Sequence, residues 1–135
     1  MSQPGLAIQQ AMLGVLAARS TLMSLLGGAH IYDELPRGAN IPNAAFTTIE
    51  TRDWSVADQK AHETFVALDI NSKSRSRAQV QNIIQKIETA LDGAALILVG
   101  HNLVNLRCVF ISATRQKAAD YFTATMRFRA ATEPQ

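Results

Sequence analysis

The sequence predicts an α+β fold: an antiparallel or mixed sheet of about four or five strands, with about two or three helices packed on one face. Two patterns carry the prediction. Val80, Ile83, Ile84, Ile87 and Leu91 recur at the helical period, whereas Val66, Leu68 and Ile70 alternate with more polar neighbours as a half-buried strand does. Near the end of the chain, Phe122, Ala124, Met126, Phe128 and Ala130 again keep period two.

The elements follow in chain order. Pro4 suits the entrance of a helix over 5–19, because a first-turn residue needs no N–H donor. Leu6, Ile8, Met12, Leu13, Val15 and Leu16 cover more than one narrow stripe of that helix, which predicts deep burial. Ser20 reads as the N-cap of a short helix over 21–26, ended by Gly27 and Gly28. A short strand over 29–33 precedes a loop carrying Pro36, Gly38, Asn40 and Pro42. A strand over 44–52 places Phe46, Thr48 and Glu50 on one side, a loop spans 53–61, and a strand runs over 62–72. After Lys73, Ser74 and Arg75, Ser76 and Gln79 form a capping box for the amphipathic helix, which Asp92-Gly93 stops.

The remainder reads as β: a short strand over 95–99, a Gly100-His101-Asn102 turn, and two long strands over 103–115 and 120–132. If Val104, Leu106, Cys108 and Phe110 share the core face with Phe128, then Asn105, Arg107, Val109 and Ile111 lie outward beside Arg127 and Arg129. Such pairing needs an odd-numbered hairpin loop. It also predicts an outer face that is basic at one end and apolar at the other, which a freely solvated sheet rarely shows.

Composition bounds the rest. One domain over 1–135 is expected, since 135 residues with 47% hydrophobic and 18% charged content suffice for a single core. A net charge of +2 argues against bulk electrostatic binding of nucleic acid. The single cysteine, Cys108, precludes an internal disulfide and reads as a small buried hydrophobe. No apolar run approaches the ~20 residues of a membrane span. No secretion signal is evident, so a soluble protein made in the cytoplasm is expected.

Chemistry finds little purchase. His30, His62 and His101 lie far apart and in no metal-ligand spacing, and no catalytic, cofactor or metal site is expected. Gly27-Gly28 has no phosphate-loop context, and no nucleophile sits in a recognisable motif. The reading is therefore not an enzyme. Contact surfaces are the better candidates. Trp54, between Asp53 and Ser55, is either folded back as a lid on the core or an anchor for a partner. Tyr32, Asp33, Pro36 and Arg37 in the proline-stiffened loop invite the same choice. Arg107, Arg127 and Arg129 are either a solvated strand face or an interface with acidic groups or phosphates, with Val109 and Ile111 extending it.

Taken in order, the phrases Leu25-Leu26-Gly27-Gly28, Ile31-Tyr32-Asp33 with Pro36, Asp53-Trp54-Ser55 and the 74–78 approach to the central helix carry a resemblance. Gly100-His101-Asn102-Leu103-Val104, Arg127-Phe128-Arg129-Ala130 and Thr132-Glu133-Pro134 complete it. Together they resemble the tail-terminator, or tail-completion, family of long-tailed phages and the related gene transfer agents of alphaproteobacteria. The resemblance implies a ring-forming virion subunit, six-fold in the family, on the head-proximal end of the tail tube. It implies that the ring stops tube polymerisation and presents a joining surface to the head-side connector or stopper. Double-stranded DNA would pass through the lumen without sequence specificity, at the head–tail junction and away from any membrane. It implies no cofactor. The competing reading is a small monomeric or dimeric adaptor for protein or nucleic acid.

Overall fold

Ile8, Met12 and Leu16 stand four residues apart, so a helix aligns them in one stripe, and all three are fully buried. That helix, α1 (Pro4–Ala17), is followed by α2 (Ser20–Leu26), β1 (Ile31–Tyr32), β2 (Asn43–Asp53), β3 (His62–Asn71), α3 (Arg77–Leu91), β4 (His101–Gln116) and β5 (Tyr121–Pro134). The computed structural model describes residues 4–73, 76–116 and 121–135. Ser74, Arg75 and the strand start expected at Asp120 lie outside them. Among the described residues, no helix is long and apolar enough to cross a membrane.

The strands form one mixed sheet in the order β1-β2-β3-β5-β4, with β1 parallel to β2 and the other neighbours antiparallel. All three helices pack against one another on one face of it, so the expected α+β class is the observed one. The core lies between the layers. From the sheet come Val66, Leu68, Ile70, Met126 and Phe128, and from α3 come Val80, Ile83, Ile87 and Leu91. Each such side chain withdrawn from water contributes about 1.5–3 kcal/mol before ordering entropy is counted. Burial of α1 is narrower than expected. Leu6 is 61% exposed, because α1 has the sheet and the other helices on one side and solvent on the other.

Local chemistry sets the ends. Gly27 terminates α2 at φ 76°, a left-handed conformation that glycine adopts without Cβ strain. Ser76 caps α3 by accepting the Ala78 N–H at 3.1 Å, while Gln79 Oε1 reaches back to accept the Lys73 N–H at 2.6 Å. On the far side of the same junction, Ser72 is buried against β5. Its hydroxyl accepts the Phe122 N–H at 3.0 Å, and its own N–H donates to the Phe122 carbonyl.

Three strand expectations are corrected. The 95–99 segment is not a strand: Leu98 makes one isolated bridge to His101, while Ile97 and Val99 stand 94% and 85% exposed. The Gly93 N–H donates to the Leu106 carbonyl at 2.7 Å, which pins the helix exit halfway along β4. The chain must then run back to His101 with Leu98 buried and Leu96 packed partly against the core. In β2, an irregularity between Phe46 and Thr48 sets Phe46 opposite Leu68 on the core side but Thr48 and Glu50 opposite Ala67 and Phe65 on the outer side. Phe46 therefore does not share a face with Thr48 and Glu50.

The third correction concerns β4. Leu106 and Cys108 do face Ala130 and Phe128, as expected, but Val104 sits at a first bulge and is 57% exposed, and a second bulge at Val109 reverses the alternation. Phe110 pairs with Arg127 on the outer face, and Ile111 pairs with Met126 on the helix side. Ile111 was expected outward; it stands on the helix side and is 40% exposed. Equal-parity pairing comes from the bulge and not from an odd loop, since Gln116 pairs with Tyr121 across four intervening residues.

Candidate assembly interface

The sheet face away from the helices is built from alternate positions of four strands. β2 supplies Thr48, Glu50 and Arg52, β3 supplies Glu63, Phe65 and Ala67, β5 supplies Arg127 and Arg129, and β4 supplies Phe110. Strand registry thus decides which charges meet.

Glu63 is the hub. Its carboxylate accepts from Nε of Arg129 and lies 3.5 Å from Nε of Arg52. The Glu63 and Arg129 side chains are only 15% and 23% exposed, so this pair is shielded, whereas Arg52 is 69% exposed and contributes little. The guanidinium of Arg129 also lies 4.8 Å from the centroid of the Trp54 ring. Trp54 is therefore not a lid on the helix-side core. It covers one end of the outer face and remains 48% exposed.

Arg127 is arranged differently. It lies over the Phe110 ring at 5.8 Å and, among the described residues, has no carboxylate partner. It borders an open groove of about 200 Å³ with Thr48, Glu50, Arg52, Phe65 and Ala67. A second hollow of about 210 Å³ opens at the hairpin end between Trp54, Val56, Val104 and Thr132. Arg107 faces Arg129 in the register but turns to the sheet edge. Its Nε donates to Asp92 Oδ1 at 3.1 Å, and the same oxygen accepts the Cys108 N–H at 2.8 Å. The three arginines thus have three separate settings and do not form one basic patch.

Tyr32, Asp33, Pro36 and Arg37 lie at the opposite flank, where β1 leads into the loop beside β2. Tyr32 is half-buried and the other three are exposed. Alternation along β3 puts Glu63 on the polar side but does not reveal its role as a hub. The signal was a carboxylate on the same face as flanking arginines, which only the register reveals. Phe110 was assigned to the core because the unbroken apolar run Val109-Phe110-Ile111 conceals the bulge.

Among the described residues, Asp53 and Cys108 are chemically shifted. The Ser55 hydroxyl and the Ser55 N–H, which donates to Oδ1 at 2.9 Å, hold the Asp53 carboxyl below its usual range. Burial pushes the Cys108 thiol up. Among the described residues, no three His, Cys, Asp or Glu side chains are grouped to hold a metal ion.

Comparison with known proteins then adds what geometry does not. A chain solved in the virion of a native gene transfer agent (GTA) particle superposes at a TM-score of 0.87 with 24% identity, covering 98% of this chain and 99% of that one. That likeness establishes a shared fold. A search of curated proteins returned no match. The model of the family described as tail completion protein gp17 matches residues 10–133. With nearly its whole length matched, the chain belongs to the tail completion protein gp17 family.

Proposed function

We propose that the protein closes the head-proximal end of a tail tube as a homo-hexameric ring. The ring ends polymerisation of the tube protein, offers the joining surface for the head-side connector, and lets double-stranded DNA pass through its lumen without reading sequence. It works by contact and without turnover. After synthesis in the bacterial cytoplasm, its place in the particle is the head–tail junction.

Family membership over residues 10–133 is the observation that carries this reading. The outer sheet face supports it physically. Trp54, Phe110 and Arg127 are all well exposed there, and an aromatic and arginine-rich surface is typical of protein contacts. A ring needs two different complementary patches per subunit. Arg127, Arg129, Phe110 and Trp54 supply part of one. Arg107, Val109 and Ile111 belong to the neighbouring β4 edge, and the 33–42 and 54–61 loops reach the adjacent subunit, the tube or the connector.

The test is imaging of particles made without this protein. Over-long or unjoined tails are expected, and normal joined tails would overturn the reading.

A further inference from the structure

The sheet ends in two edges, and each is open along only part of its length. On β4, the half near His101 is occupied: the Leu106 carbonyl takes the Gly93 N–H, and the Cys108 N–H is held by Asp92. Beyond the Val109 bulge, among the described residues, no backbone hydrogen bond closes the side of residues 109–116 away from β5. At the other edge, β1 covers only Ala44 and Ala45 of β2. Residues 47–53 of β2 are paired on the β3 side alone. The two open stretches are of similar length, and each begins at a bulge.

Their chemistry is compatible: joined at their centres, Ser112 meets Glu50 and Phe110 meets Arg52, so no like charges stand directly opposite. Residues 109–116 of β4 carry Arg115 and no carboxylate, with Val109 and Phe110 about half exposed. Residues 47–53 of β2 carry Glu50 and Asp53 against Arg52. A long, exposed, apolar strand edge is a template for strand addition.

We propose that β4 of one copy pairs along 109–116 with β2 of a second copy along 47–53, antiparallel and head to tail, so that the sheet continues from subunit to subunit. This rests on the ring reading above and names the surfaces that close the ring.

The registers support it quantitatively. Ser112 is level with Thr125, Asp69 and Ala45, whereas Glu50, the middle of the open β2 edge, is level with Phe65. Joining the two open stretches centre to centre therefore staggers neighbouring subunits by the span from Asp69 to Phe65 on β3, roughly 13 Å at ~3.3 Å per residue. Four full-length strands at ~4.8 Å spacing make each subunit about 19 Å wide along the sheet. The stagger then tilts the strands by roughly 35°, at the lower end of the tilt by which sheets close into barrels. A level approach would instead set the open half of β4 against β1 and the 33–42 loop.

The test uses complete particles carrying Cys108→Ser together with paired cysteines on the outer face, one from Thr48 or Glu50 and one from Ser112 or Thr114. Cross-strand neighbours lie within disulfide reach. Mild oxidation is expected to give a ladder from dimer upward for at least one pair, and none for the single variants. Normal rings with no ladder from any pair would overturn the edge pairing while leaving the ring reading intact. Dimers from Ser112→Cys alone would overturn it in favour of two-fold β4–β4 contact. Particles with neither ring nor ladder would overturn both.

Discussion

Phe110 lies beneath the guanidinium of Arg127, 5.8 Å from carbon to ring centroid, because a single extra residue at Val109 turns it out of the core. The contact is exposed, so its worth to folding is small. Phe110→Ala is expected to lower stability by about 1 kcal/mol or less in urea unfolding. A loss of several kcal/mol would mean that Phe110 is a core residue after all.

Glu63 is the opposite case, because it pairs with Arg129 out of full contact with water. Glu63→Gln leaves that guanidinium without a counter-charge and is expected to cost about 2 kcal/mol. Arg52→Ala removes the outer partner and should change stability by less than about 0.5 kcal/mol. Replacing Glu63 and Arg129 together by Leu and Met should recover most of the loss, since the pair's value lies largely in not leaving one member alone. Equal costs for Glu63→Gln and Arg52→Ala would contradict this ranking.

Asp53 makes the 54–61 hairpin sensitive to acid. Its folded carboxyl titrates below the ordinary range because Ser55 donates to the ionised form, first through its hydroxyl and then through its N–H. The contribution is complete above the unfolded pKa and disappears as pH falls through the lowered folded pKa. Carboxyl carbon shifts followed against pH should show Asp53 titrating late on the acid side, and Ser55→Ala should move its midpoint upward. An unmoved midpoint would assign the shift to another cause.

These contrasts show how far the residues alone could be read. Helices were legible because Val80, Ile83, Ile87 and Leu91 pack on one face, and the buried stripe of β5 was equally plain from its alternation. The errors of facing at Phe46, at Val104 and at Phe110 with Ile111 share a cause. A bulge inserts a residue without a composition signature, and every side chain beyond it changes sides. The 95–99 run failed for another reason. A continuous apolar run suits an extended segment, but the Gly93 contact had already fixed where that segment starts. The candidate surface suffered most, since its membership depends on register across four strands, which no local pattern encodes.

Cys108 offers a chemical check on the bulge. Its thiol is pushed up by burial and, at neutral pH, holds less thiolate than a free cysteine. Iodoacetamide should label it more slowly than glutathione at pH 7.5, with the rate rising about tenfold per pH unit until the thiol itself titrates. Labelling faster than glutathione would place the sulfur in solvent.

Ser76 gives a purely local test. Its side chain is the N-cap of α3, so Ser76→Ala should lower the unfolding free energy by about 1 kcal/mol, and Ser76→Asp should restore most of it. No change on removing the hydroxyl would mean that the helix start is held from elsewhere.

The clasp of Asp92 and Gly93 on β4 has a consequence for the chain before it meets any partner. A sixteen-residue open border on a freshly folded sheet, with Val104, Val109 and Phe110 exposed along it, would invite stacking in any register and between any copies. With Leu106 and Cys108 already engaged by the end of α3, newly made molecules expose only the half beyond Val109. The same few bonds that anchor a helix exit therefore guard the protein against fibrous aggregation while it waits in a crowded cell.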